Sequence, residues 1–174
     1  MTPEAFIKKF NIRCFYHFTD TRNLPSIRAH GLLSMAELKR RELQATHPGG
    51  NEWSQLADAR AGVDRYVHLC LFNEHPMEYL ARQDGRIEES VFLRVAPEVI
   101  SLEGIVFSPE VANKAGARLL PLSDAIEQMD FEVIYTRTDW RDPLIQERRR
   151  LAKKYELLIP NHVPMKFVVE PTYG

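Results

Sequence analysis

Two side chains in this sequence stand where chemistry is done. His17 sits within FYHFTD, flanked by Phe15, Tyr16 and Phe18 and followed by Thr19. Glu156 heads the apolar run of KYELLIP. A carboxylate at the head of an apolar strand must be solvated, paired or used, because burying it unpaired is costly. Fixed in a cleft, it stabilises developing positive charge or accepts a proton. On pattern alone the plainer readings lead: a hydrogen-bonded core histidine and a surface carboxylate on an edge strand.

Other machineries find no support. The chain has no GxGxxG for a Rossmann dinucleotide site, no Walker A sequence and no GxSxG elbow. Its six histidines show no metal-ligand spacing, so no metal is expected. Cys14 and Cys70 form no CxxC pair. Cys70 lies in an apolar run and reads as a packed thiol, and two lone cysteines suit a reducing cytoplasm.

The elements that must position His17 and Glu156 follow from periodicity and punctuation. Residues 12–18 read as a strand rich in β-branched and aromatic residues. Asn23 is placed to cap a short helix through Ser26–His30 that Gly31 ends. Ser34 starts a second helix, MAELKRREL, with a capping box to Glu37. Residues 45–63 read as a long polar loop, a common form of functional lid. YVHLCLF at 66–72 is a buried strand, and Pro76 opens a helix that Gly85 stops. Residues 91–96, 100–107 and FEVIYTR at 131–137 suggest further strands, with a short helical stretch at Asp124–Met129. Pro143 starts a basic helix toward Lys154, and the strands YELLIP and VPMKFVVE close the chain. Without a regular βαβ alternation, this order predicts an α+β domain with mostly antiparallel sheets.

At 174 residues the chain suits one domain, 1–174, with a real core. Its 44% hydrophobic and 27% charged residues are ordinary for a soluble globular protein. No stretch is apolar enough for a membrane span or a signal peptide, so a cytoplasmic protein is expected. The net charge of −1 means that any nucleic-acid partner is held by a local patch. One such patch runs from Arg141 to Lys154, where six cations face two carboxylates. It reads either as a solvated helix face or as a phosphate-tracking surface.

Three segments taken together say more. FYHFTDTRNLPSIRAHGLLS, DRYVHLCLFNEHPMEYLARQ and AKKYELLIPNHVP resemble, in order and spacing, three segments of the DarT family of DNA ADP-ribosyltransferase toxins. The resemblance spans roughly residues 14 to 166. It implies an ADP-ribosyltransferase fold: two packed small, mostly antiparallel sheets, peripheral helices and a cleft for NAD, which is consumed as co-substrate. Glu156 matches the catalytic glutamate. His17 and Thr19 would lie against NAD, with Asn23 and Gly31 shaping the same pocket. A catalytic arginine in the helix after the first Gly-Leu would be Arg41 or Arg40. The family also implies single-stranded DNA as partner and an antitoxin with a macrodomain hydrolase.

The chemistry suits those roles. Breaking the bond between nicotinamide and ribose leaves an oxocarbenium-like centre, which a carboxylate on the ribose 2′-hydroxyl stabilises. The same group takes a proton from the attacking base nitrogen. An arginine neutralises the pyrophosphate. A single-stranded target exposes a base nitrogen that a duplex hides. Trp53, Gln55 and Asp58 in the 45–63 region would stack on or hydrogen-bond that base, and Arg148 and Arg149 would track the backbone. Two rival readings stay open: a transferase acting on RNA, such as a 2′-phosphotransferase-like enzyme, and a non-catalytic NAD- or nucleic-acid-binding module.

Overall fold

Alternation of large apolar and polar residues makes FYHFTD a strand, β1 (Phe15–Asp20), at the centre of the molecule. The computed structural model describes residues 1–43, 47, 50 and 52–169. Before β1 comes helix α1 (Pro3–Phe10), capped by Thr2. After it come α2 (Leu24–His30), β2 (Leu32–Leu33), α3 (Met35–Arg40) and α4 (Glu52–Ala61). Then follow β3 (Tyr66–Cys70), α5 (Pro76–Gln83), β4 (Ser90–Val95) and β5 (Val106–Ser108). The chain continues through α6 (Leu122–Gln128), α7 (Phe131–Tyr135) and α8 (Pro143–Ala152) to β6 (Glu156–Pro160), β7 (His162–Val163) and β8 (Val168–Val169). No helix among the described residues is long and apolar enough to cross a membrane.

Six strands form one sheet in the order β5-β6-β3-β1-β4-β8, and β2 with β7 forms a second, two-stranded sheet. Every registered pairing is antiparallel, as the α+β reading expects. The large sheet has a seam. β1 pairs with β4 along its whole length and β3 pairs with β6 along its whole length, yet β1 and β3 share the single registered pair Tyr16↔Cys70. Beyond that pair the two strands part, leaving two three-stranded halves with a gap between them. The helices bury their apolar faces around these halves. Phe6 of α1 packs edge-on against Phe131 at a centroid distance of 4.9 Å and against Phe107 at 6.2 Å. Phe15, Leu69, Leu93, Leu157 and Ile159 fill the same core.

Several local expectations need correction. FEVIYTR is helical over Phe131–Tyr135, not a strand: Asp130 accepts from the Val133 amide as its N-cap, and Phe131 is drawn into the aromatic cluster. Tertiary packing overrides the β-rich composition. The expected 45–63 loop contains α4, built from good helix formers with no sharp apolar face to announce it. Of 100–107, only the end pairs as β5, and Pro97–Ser101 makes a 3₁₀ turn instead. VPMKFVVE is broken by another 3₁₀ turn, Met165–Phe167: Val163 pairs in the small sheet as part of β7, and only Val168–Val169 joins the large one. Asn23 makes no side-chain cap for α2. Ser34 does cap α3, accepting from the Glu37 amide at 3.1 Å.

Candidate active site

The gap between β1 and β3 is the floor of a cavity of about 230 Å³. His17, Phe18 and Thr19 line one wall, Tyr66, Val67 and His68 the other, and Glu156 lies at the closed end. The parting of the strands explains why a histidine belongs at position 17. Its Nδ1 lies 3.0 Å from the His68 carbonyl oxygen, so the ring donates the bond that a paired strand would have made. That fixes the tautomer with Nδ1 protonated and Nε2 an acceptor. Burial holds the ring neutral, pulling its pKa below the ordinary value against the pull of that bond.

Glu156 is buried at the head of β6, and its two oxygens have different neighbours. Oε2 accepts from the Ala112 amide at 2.9 Å and lies 3.2 Å from His68 Nδ1. Oε1 lies 3.6 Å from His75 Nε2. Burial alone would raise the carboxyl pKa, but the His68 charge and hydrogen bond, His75 and the Ala112 amide together hold it below the ordinary value. The group is a carboxylate at neutral pH. His68 answers in kind. Burial pulls it down most strongly, yet Glu156 and the charge of Asp58 override that and lift it to about 9. His75 goes the other way: burial is the largest influence and leaves it below its ordinary value. Its Nδ1 accepts from the Met77 amide at 3.3 Å, so Nε2 carries the hydrogen, which makes no hydrogen bond among the described residues although Glu156 Oε1 lies 3.6 Å away.

Asn23 donates to Thr19 Oγ1 at 3.1 Å and to the His47 carbonyl at 2.8 Å, tying the wall of the cavity to the segment that leads toward α4. Gly31 lies in the lining at φ +76°, and a Cβ there would sit 2.5 Å from the Val163 carbonyl oxygen. Gln55 and Asp58 of α4 also line the cavity. Burial raises the Asp58 pKa, against a countering pull from His68. Trp53 falls within α4, but its side chain lies outside the described residues.

The arginines lie apart from this cavity. Arg40 grips Glu37 through Nε and a terminal nitrogen at 2.7 and 2.6 Å, and Arg41 binds it through Nε at 2.6 Å. Neither lines the cavity. On α8, Arg148 makes a two-toothed bond to Asp130 at 2.6 and 2.9 Å. Arg149 donates to the Val133 carbonyl at 3.2 Å and lies 5.2 Å over the Phe72 ring. Both fasten α8 to neighbouring elements, and no residue from 141 to 154 is in the cavity lining.

Sequence reasoning missed His68, His75 and the Ala112 amide. His68 and Glu156 are 88 positions apart, and only the β3–β6 register makes them diagonal neighbours.

A split antiparallel sheet with a buried carboxylate at its cleft is what the sequence resemblance requires, and comparison with known proteins decides the matter. The sequence profile described as "ssDNA thymidine ADP-ribosyltransferase, DarT" matches residues 16–170. The chain belongs to the DarT family. Among solved DarT structures, the Thermus sp. 2.9 DarT in complex with ADP-ribosylated ssDNA superposes with a TM-score of 0.66 at 20% identity, covering 91% of this chain and 79% of that one. Thermus sp. 2.9 DarT in complex with NAD+ gives 0.57 at 19% identity, covering 90% and 79%. Thermosipho africanus DarTG in complex with ADP-ribose gives 0.68 at 19% identity, covering 90% of this chain but 42% of that longer one. At this identity the likeness establishes the shared DarT fold. No curated protein matches the chain by sequence.

Proposed function

We infer that this chain transfers ADP-ribose from NAD to thymine in single-stranded DNA. The observation that carries the reading, within the family match, is Glu156: a buried carboxylate held charged in a largely apolar cleft that also presents His17, Thr19 and His75. The polar groups suit NAD. His17 Nε2 is an acceptor, and Thr19, held by Asn23, offers a hydroxyl. The buried Nε2–H of His75 makes no hydrogen bond among the described residues and lies 3.6 Å from Glu156 Oε1. NAD supplies the ADP-ribosyl group, the bond between ribose C1′ and nicotinamide breaking as its electron pair leaves with nicotinamide.

The chain's own residues do the rest. His17 and Thr19 hold the adenosine side. Glu156 Oε1 accepts from the ribose 2′-hydroxyl and stabilises positive charge growing at C1′. As thymine N3 bonds to C1′, its proton passes to Glu156 and then to water. Arg41 stands outside the described cavity lining, and because it binds Glu37 through Nε alone its terminal nitrogens are assigned to a phosphate that extends beyond that lining. Gln55 and Asp58 of α4 face the base. A flipped, unpaired thymine is required because N3 is engaged in a duplex.

The test is labelled NAD offered to separate pools of single-stranded DNA, duplex DNA, RNA and protein, with thymine-free oligonucleotides beside thymine-containing ones. Label in thymine-containing single strands is expected, whereas label confined to RNA or protein overturns the reading. Adducts on template bases block replication, so unregulated expression in a bacterial cytoplasm should arrest growth. The partner that fits is a macrodomain hydrolase that removes the adduct, and co-expressing one should restore growth.

A further inference from the structure

The described lining of the cleft holds two carboxylates, Glu156 and Asp58, and neither lysine nor arginine. A counter-cation must therefore come from a histidine, and the geometry singles out one. His68 has an acceptor at each ring nitrogen: Glu156 Oε2 at 3.2 Å from Nδ1 and the Val63 carbonyl oxygen at 3.2 Å from Nε2. A neutral imidazole has one N–H and would leave a lone pair facing one of these oxygens, and only the imidazolium satisfies both. Two of the other three lining histidines are differently placed: His17 spends Nδ1–H on the His68 carbonyl, and His75 accepts at Nδ1 from the helix it caps and brings only Nε2 near the carboxylate, 3.6 Å from Oε1.

We propose that His68 is a positioning residue for the transferase: as an imidazolium it pins Oε2 of Glu156, leaving Oε1 as the one oxygen turned to the ribose. This rests on the catalytic reading of Glu156. With Oε2 held by His68 and the Ala112 amide, the carboxylate cannot rotate to offer both oxygens, and its charge survives burial. The groups facing His68 are Glu156 from β6, Asp58 from α4, His75 from the start of α5 and His17 from β1. Glu156 and Asp58 favour its charge. Burial opposes it, and the two carboxylates prevail, lifting His68 to about 9.

Two measurements test the assignment. In the first, nitrogen-15 NMR of the wild-type protein reads the protonation of His68 directly. Both ring nitrogens should carry hydrogen at pH 8, where an ordinary histidine is neutral. A neutral ring at pH 8 overturns the proposal without touching the role of Glu156. In the second, His68→Gln removes the cation but keeps an amide donor for Oε2. Its kcat should fall at least tenfold, with KM for NAD within about twofold. Its activity should also decline from pH 8 to pH 6 where the wild type stays level, because Glu156 without its cation titrates at higher pH. A His68→Gln enzyme with wild-type kcat and a wild-type pH profile sinks the idea. Glu156→Gln assayed alongside separates the two claims: full activity there means that the catalytic reading itself has failed.

Discussion

Glu156→Gln changes the shape of the site least and its electrostatics most. The Ala112 amide and His68 are both donors toward Oε2, so the glutamine oxygen will settle there. The NH₂ group must then occupy the place of Oε1, presenting a donor where the ribose hydroxyl needs an acceptor. Losing a main electrostatic group of this kind raises the barrier by about 3–4 kcal/mol, so transfer should fall on the order of 10²–10³-fold. A second effect is readable without substrate. His68 is lifted from its ordinary value of 6.5 to about 9, chiefly by Glu156 against the opposing effect of burial. At 1.36 kcal/mol per pH unit, this is as much as about 3 kcal/mol of pH-dependent stability. The sign follows from the raised pKa: the contribution is whole below pH 6.5 and is lost as pH rises through about 9. The stability gap between wild type and Glu156→Gln should therefore shrink by up to about 3 kcal/mol across that window. Urea unfolding at pH 6.5, 7.5, 8.5 and 9.5 measures it, beside transfer from labelled NAD. Parallel stability profiles would refute the ion pair, and wild-type turnover would remove Glu156 from the mechanism.

Four further outcomes are expected. His17→Ala removes one acceptor facing NAD, so calorimetry should show a dissociation constant raised about 3–10-fold, with a smaller change in saturated turnover. Gly31→Ala forces a side chain onto φ +76° with its Cβ 2.5 Å from the Val163 carbonyl, so it should destabilise by at least about 1–3 kcal/mol in urea. Arg148→Ala unties α8 from Asp130 and should lower Tm more than Arg150→Ala, whose partner Glu147 lies on the same helix. An unchanged salt slope of single-stranded DNA binding in Arg148→Ala would mark that residue as a fastener only. Arg41→Ala should reduce transfer more than Arg40→Ala, whose guanidinium holds Glu37 with two bonds, and equal losses would leave the phosphate side without its proposed arginine.

What the sequence made legible was carried by short, dense motifs. FYHFTD and YELLIP each put a strand and its polar residue in one unbroken run, so β1, β6, His17 and Glu156 could be read together. Gly31 was legible because only glycine ends a helix cheaply at positive φ. The failures share a cause, which is that the deciding contact lies far along the chain. Residues 131–135 have strand composition but answer to Phe6 and Phe107. α4 lacks an apolar stripe, and the residues it turns to the cleft, Ser54, Gln55 and Asp58, are polar. His68 looks like any residue of an alternating strand until β6 is laid beside it. The positive charge of 141–154 is real, yet much of it is answered by Asp130, Glu132, Glu147 and Glu74.

The seam at Tyr16↔Cys70 carries a further consequence, for the lifetime of the protein. Any molecule that fills the gap between β1 and β3 bridges two half-sheets that the backbone joins at one point. Such a ligand acts as a cross-link, stabilising the fold by about 2.7 kcal/mol when present at a hundred times its dissociation constant. On the proposed function that ligand is NAD, which the reaction destroys. As the enzyme works, it depletes the molecule that braces it, so its own opening rate should rise as its substrate falls. Persistence in a cell would then follow the NAD supply, with the protein most open to proteolysis once its activity had run its course.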